Sequence, residues 1–148
     1  MVASKNFAFY GGIALLALGL ISAIPVLVGS MEGLPTLYLD ASYGRFLDQF
    51  PMNIVNKVVL TIAGIAGLVV SRKNNPQAWI NYSRTIFFAM GALALLGIPA
   101  ATNTLGGYYP LFGNVILVNA LFALIGGYCG FVATRSVATN HYNKHTHA

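Results

Sequence analysis

The chain has 148 residues, of which 57% are hydrophobic and 7% are charged, with a net charge of +5 and a mean hydropathy of +0.70. A soluble domain carries about 25% charged residues. This composition excludes a water-soluble globular enzyme, a disordered protein and a disulfide scaffold. The basic residues stand singly or in pairs beside apolar runs, so we expect no nucleic-acid partner. The sequence therefore predicts an integral membrane protein.

Four apolar stretches are long enough to cross a hydrocarbon core as helices, which takes about 17–25 residues. They cover residues 7–28, 51–70, 82–101 and 111–133. The predicted fold is all-α, a four-transmembrane-helix bundle formed by one domain over residues 1–135. A polar cytoplasmic tail over residues 136–148 contains three histidines and is expected to be flexible.

Charged residues predict the orientation of the bundle. Basic residues precede helix one, lie between helices two and three, and follow helix four, whereas every acidic residue lies in the first loop. The positive-inside rule then places both termini in the cytoplasm and the first loop outside. The residues used are Lys5, Arg72, Lys73, Arg84, Arg135 and Lys144 on the inner side, and Glu32, Asp40, Asp48 and Arg45 in the first loop.

The first loop contains an apolar pattern of its own. Tyr43, Phe46, Leu47 and Phe50 are spaced i, i+3, i+4 and i+7, which predicts one apolar stripe on a helix. We therefore expect a short interfacial helix over residues 41–49, ended by Pro51. The alternative is an aromatic-rich loop that covers the end of the bundle.

Helices two and four align at a constant offset of 63 residues, which pairs Asn56 with Asn119 and Gly67 with Gly130. Helices one and three share an Ile-Pro ending. This internal repeat predicts two tandem helical hairpins related as parallel repeats. Small residues four apart, Ala63 with Gly67 and Gly126 with Gly130, allow another helix to approach closely. We expect helices two and four to pack on each other through them; the alternative is a docking face for a partner protein.

Three polar side chains in the predicted spans are candidate site residues. Lys57 lies about six residues, or about 9 Å, inside helix two. Its ammonium can snorkel to the interface, pair with Asp48, or bind a lipid phosphate or an anionic substrate. Asn56 and Asn119 can hydrogen-bond across a helix interface, and an asparagine oxygen can also ligate the magnesium of a chlorophyll.

Four segments of the chain are informative together: Phe50-Pro51-Met52-Asn53, Gly64-Ile65-Ala66-Gly67, Tyr82-Ser83-Arg84 and Gly107-Tyr108-Tyr109-Pro110-Leu111-Phe112-Gly113. They resemble an uncharacterised family of small four-helix bacterial membrane proteins. The resemblance covers residues 7–135 and implies no established activity; its members occur in actinobacteria and photosynthetic bacteria, which implies a bacterial inner membrane or a thylakoid membrane. Relatives often carry histidines in helices two and four, where this chain has Asn56, Lys57, Leu60 and Asn119. Metal or haem ligation through those imidazoles is therefore not expected here.

The predicted spans contain no Asp, Glu or His, which disfavours a hydrolase, a redox subunit or a proton pump. We expect a non-enzymatic accessory or structural subunit that has no cofactor and contacts the lipid bilayer and other transmembrane proteins or itself. The first alternative is a small transporter or binder of an apolar or anionic ligand between the hairpins. The second is a pigment- or quinone-associated subunit, with chlorophyll or quinone as the cofactor, in a photosynthetic or respiratory supercomplex.

Overall fold

A computed structural model describes residues 1–134. Arg135 and the predicted histidine-containing tail over residues 136–148 lie outside the described residues. Within the described part, four helices are long and apolar enough to cross a membrane, which confirms the predicted fold class. They are α1 (Val2–Ile21), α2 (Ile54–Arg72), α3 (Pro76–Gly97) and α4 (Val115–Val132).

The helix boundaries follow local capping signals rather than the limits of the apolar runs. The Asn75 side chain accepts hydrogen bonds from the backbone N–H groups of Gln77 and Ala78, so α3 begins at Pro76 and not at residue 82. At the other limit, α1 ends at Ile21 because Ile24, which precedes Pro25, is extended. The predicted spans over residues 7–28 and 82–101 were therefore displaced toward the C-terminus.

The first loop forms a β-hairpin, so the predicted interfacial helix is wrong. Strands β1 (Gly44–Phe46) and β2 (Phe50–Met52) pair antiparallel. Leu47 and Asp48 have positive φ values of 51° and 57°, which turn the chain where a helix would continue. The hairpin buries Phe46, 3% exposed, and leaves Leu47 53% exposed, whereas a helical stripe would place both on one face.

The helices pack as two hairpins, α1 with α2 and α3 with α4, as predicted. The expected packing of α2 against α4 is wrong, because these sequential pairs form the extensive helix contacts. Residues paired by the 63-residue offset between α2 and α4 still have the same burial: Asn56 and Asn119 are both buried, and Val58 and Leu121 are both exposed. The internal repeat itself stays a prediction.

The bundle has two chemically different ends. At the basic end, α1 and α3 begin and α2 and α4 finish, beside Lys5, Arg72 and Lys73. At the loop end, the first loop over residues 22–53 and the last loop over residues 98–114 cover the helices. The core between the two ends is formed by Phe7, Ala8, Leu15, Phe46, Met52, Leu60, Tyr82, Ile86, Met90, Val115, Ala123 and Cys129.

Candidate functional site

Two asparagines connect α2 to both loops at the loop end. Asn53 caps the helix: its side chain accepts from the backbone N–H groups of Val55 and Asn56, and its own N–H donates to Asn56 Oδ1 at 3.0 Å. The amide of Asn53 also donates to the carbonyls of Leu39, at 2.9 Å, and Tyr108, at 2.8 Å. Because both side chains are almost fully enclosed, these bonds hold the two loops in one arrangement.

Asn56 completes this connection and bonds to the last loop rather than to a neighbouring helix. Its Nδ2 donates to the Pro110 carbonyl at 2.9 Å, while its Oδ1 accepts from the Asn53 N–H. The expected bond across a helix interface is therefore wrong for Asn56. The same oxygen already has a donor, so ligation of a chlorophyll magnesium by Asn56 would first have to break the helix cap.

The ammonium of Lys57 is hydrogen-bonded to the first loop, and its partner there is a serine rather than a carboxylate. Because α2 begins at Ile54, Lys57 is only about 4.5 Å into the helix. Its residue exposure is 2%, and Nζ donates to the Ser42 carbonyl at 2.7 Å and to Ser42 Oγ at 2.6 Å. The ammonium extends to the first loop, where its partner is Ser42, so the predicted pairing with Asp48 is wrong and snorkelling to the interface stays a prediction. Ser42 adopts a left-handed backbone, φ 55°, and supplies both oxygens.

Asn119 differs from its counterpart on α2. The residue is 3% exposed, and its Nδ2 has no hydrogen-bond partner among the residues that the structure describes. An unsatisfied buried amide costs about 1–3 kcal/mol. The predicted hydrogen bond across a helix interface is not formed by this nitrogen, which leaves one unused polar donor inside the core.

The small residues of α2 mediate packing, although not between the helices expected. A Cβ on Gly67 would lie 2.7 Å from the Ala8 carbonyl oxygen of α1 and 2.6 Å from the Tyr82 hydroxyl of α3. That hydroxyl donates to the Ala63 carbonyl at 2.9 Å. Gly67 and Ala63 thus lie where α1, α2 and α3 meet, inside the bundle.

On α4, the two glycines contact α3. A Cβ on Gly126 would lie 2.8 Å from the Ser83 carbonyl oxygen, and one on Gly130 would lie 3.1 Å from the Arg84 backbone nitrogen. Both close approaches require the absence of a side chain. Since the four small residues are used within the chain, they do not form a free docking face for a partner.

A further polar cluster lies toward the basic end and was missed from the sequence. The last turns of α4, Tyr128–Val132, are π-helical, which interrupts the regular pairing of backbone carbonyls. The Cys129 carbonyl accepts from Ser4 Oγ at 2.7 Å, and the Gly130 carbonyl accepts from Arg84 Nε at 2.9 Å. The Arg84 guanidinium also lies 4.8 Å from the centroid of the Phe131 ring, a cation–π distance.

From the sequence, Arg84 counts among the basic residues between helices two and three, at the very start of the span predicted from residue 82. In the structure it is the ninth residue of α3, well inside the spanning segment. The signal that could have found it is Asn75-Pro76, since asparagine is a preferred N-cap and proline a preferred first residue. The helix start read from that pair places Arg84 about two turns inside the third helix.

Burial raises the pKa of two tyrosines in the loops. Burial raises the pKa of Tyr109 to about 12. Burial also raises the pKa of Tyr43, against the smaller opposing effect of Arg45, and the Tyr43 hydroxyl donates to the Pro35 carbonyl at 2.9 Å. Both phenols therefore remain neutral at physiological pH. Within residues 1–134, no group of three His, Cys, Asp or Glu side chains is placed to hold a metal ion.

Comparison with known proteins finds one relationship. The model of a family described as "Domain of unknown function (DUF4383)" matches residues 5–132. No curated protein matches the chain. No solved structure matches it either. The match covers the four spanning helices almost completely, together with the first loop and the last loop.

Proposed function

We propose a function from the geometry of this chain, which belongs to the DUF4383 family, whose role is unknown. The protein acts as a non-enzymatic accessory subunit that packs against a transmembrane helix of another protein. The observation that carries the proposal is that the polar side chains inside the bundle form hydrogen bonds that hold the protein's own loops and helix ends. Lys57, Asn53 and Asn56 are engaged in holding loops and helix ends. Lys57 also borders an open, almost entirely apolar cavity beside Thr61, but its ammonium donates to Ser42 and the Thr61 hydroxyl donates to the Lys57 carbonyl.

The contact surface we propose is the α4 seam, defined as Leu117, Leu121, Leu124 and Tyr128. All four side chains are exposed, and their spacing of four, three and four residues is the a/d spacing of a helix–helix interface. Helices in membranes commonly pack with that periodicity. The glycines that were expected to form this surface are buried within the chain, so the seam replaces them as the proposed docking face.

The α4 seam can be tested by photo-crosslinking in the native membrane. A photoreactive residue replaces Leu121 in the seam, and the matched control replaces Leu95, an exposed leucine of α3 outside it. A discrete protein adduct from position 121 but not from position 95 supports docking. Adduct mass distinguishes a second copy of this chain from a different protein. Equal adducts at both positions, or lipid adducts alone, would overturn the proposal.

The basic end is proposed to face the cytoplasm of a bacterial inner membrane or thylakoid membrane. The support is its group of Lys5, Arg72 and Lys73, set against the acidic first loop at the opposite end. Both ends of the described part, residues 1 and 134, lie on that side because an even number of spans, four, separates them.

A binder of a small apolar or anionic ligand between the hairpins, one that carries a hydrogen-bond acceptor, is the second candidate. Its specific support is Asn119, the buried amide that lacks a hydrogen-bond acceptor in the described structure. Mild extraction followed by mass spectrometry of organic extracts and an absorption spectrum tests it, including the pigment and quinone alternatives. A stoichiometric ligand lost in Asn119→Leu, with helicity retained, would favour this function over docking.

A further inference from the structure

Arg84 is a cation placed deep in a spanning helix. It is the ninth of the 22 residues of α3, about 12 Å from the basic end of that helix. The side chain is only partly buried, between α3 and the π-helical end of α4. Charged groups at such depth are costly unless they reach water or meet an anion. Arg84 therefore has to reach water at the basic end or meet an anion.

The chain itself supplies no carboxylate side chain to Arg84. The sequence has three acidic side chains, Glu32, Asp40 and Asp48, and all of them belong to the first loop at the loop end. Arg84 is 13 residues from the loop end of α3, or about 20 Å. Such a separation excludes contact between the guanidinium and those carboxylates.

Most of the hydrogen-bonding capacity of Arg84 is also unused. A guanidinium carries five N–H donors in a planar fork. Across residues 1–134, only Nε donates, to the Gly130 carbonyl at 2.9 Å, and the Phe131 ring covers one face. Lys57 provides the contrast, because Ser42 gives its ammonium two oxygen acceptors. The terminal nitrogens of Arg84 thus remain available to a ligand from the membrane.

The surroundings favour an anion over a neutral acceptor. Lys5, Arg72 and Lys73 lie at the same basic end, and none of the acidic side chains of the sequence belongs to it. A positive field of this kind attracts anionic lipid headgroups. A guanidinium fork matches two phosphate oxygens at once, which a lysine ammonium does not.

We propose that Arg84 binds the phosphate of an anionic phospholipid from the leaflet at the basic end. The Nε bond to Gly130 and the Phe131 ring fix the plane of the guanidinium, so that its two terminal nitrogens face the headgroup. Phe88, which is exposed beside Phe131, offers an apolar wall for the acyl chain. The site lies where α3 packs against the end of α4, outside the α4 seam, and is independent of the proposed docking function.

Native mass spectrometry of the delipidated full chain tests the site, with phosphatidylglycerol and phosphatidylcholine added at equal concentration. The wild-type chain is expected to retain one phosphatidylglycerol with at least a several-fold preference. Arg84→Gln should abolish the preference, and Arg84→Lys should keep only part of it, since the charge remains but the fork is lost. Lys57→Met, at the opposite end, should leave the preference unchanged.

A second control separates a specific site from general attraction to the basic end. Lys5→Gln removes one charge from that end, where its ammonium covers the Trp79 ring at 5.2 Å. An equal loss of preference in Lys5→Gln and Arg84→Gln would overturn the proposal, as would equal binding of both lipids to the wild type. If Arg84→Gln loses its helical circular dichroism, the comparison of Arg84→Lys with the wild type decides: an unchanged preference then refutes the phosphate fork.

Discussion

Replacing Gly67 with alanine tests the packing at the meeting point of three helices. The added Cβ would lie 2.7 Å from the Ala8 carbonyl oxygen and 2.6 Å from the Tyr82 hydroxyl. Even close carbon–oxygen contacts in proteins are about 3.3–3.6 Å. Ala8 contributes a backbone atom, so α1 as a whole must move away. Tyr82 must also shift, which strains its 2.9 Å hydrogen bond to the Ala63 carbonyl.

The expected free-energy change combines three effects. Overpacking of a close-packed interior costs about 1–3 kcal/mol. Loss of the Tyr82 hydrogen bond adds about 0.5–1.5 kcal/mol. Alanine favours the helix over glycine by about 1 kcal/mol, which offsets part of this cost. Gly67→Ala should therefore lower the free energy of unfolding by about 1–3 kcal/mol.

Gly91→Ala is the matched control. Its Cβ would lie 3.7 Å from the Ala123 Cβ, an ordinary contact, so only the helix-propensity gain of up to about 1 kcal/mol is expected. Both variants are unfolded in the same detergent and followed by helical circular dichroism. The free energies of unfolding of the two variants should differ by about 1–4 kcal/mol. Equal stability of Gly67→Ala and Gly91→Ala would refute the three-helix contact.

A double-mutant cycle then shows whether the Tyr82 hydroxyl or the Ala8 carbonyl causes the loss of stability. Tyr82→Phe removes the oxygen that would press on the new methyl group, although the Ala8 carbonyl remains. In the Gly67→Ala background it should recover stability, with a coupling above about 0.5 kcal/mol. Additive effects would mean that only the backbone of α1 resists the substitution.

Three further predictions concern the asparagines, a tyrosine and the topology. Asn119→Leu should leave the free energy of unfolding unchanged or raise it by about 1–3 kcal/mol, because it removes an unpaired buried amide. Asn56→Leu should lower the free energy of unfolding, because two hydrogen bonds are lost. Denaturant unfolding that ranks the two variants in the reverse order would contradict this. Tyr109 in the unfolded chain loses its proton near pH 10, but in the folded chain near 12, so the folded state holds the extra proton between these values and stability should fall as pH rises through them. Thermal unfolding of Tyr109→Phe should show a flatter pH dependence, and an unchanged slope would assign the effect elsewhere. In a cysteine-free background, Glu32→Cys should react with an impermeant thiol reagent added to intact cells and Asn74→Cys should not; the opposite labelling would invert the proposed orientation.

The sequence by itself determined the number of spans, because transfer of apolar residues into lipid depends on local composition. Helix starts were also locally encoded: Asn53 and Asn75-Pro76 act within one turn, although the apolar run alone had placed α3 too late. That late start left Arg84 at the edge of the predicted span, whereas the start at Pro76 makes it the ninth residue of α3. The two tandem hairpins were predicted from the alignment of helices two and four and the shared Ile-Pro ending of helices one and three, and the structure pairs α1 with α2 and α3 with α4.

Only the tertiary structure decided which helices the glycines serve and what meets the buried charges. The same small-residue spacing suits any neighbouring helix, and the choice of α1 and α3 as partners depends on the shape of the whole bundle. Lys57 is capped by Ser42, 15 residues earlier in the chain, because the first loop folds back over α2. The periodicity of Phe46 and Leu47 fitted a helix, but antiparallel pairing and a left-handed turn produced a hairpin. Such pairings join residues distant in the chain, and their energies depend on an arrangement that local pattern does not contain.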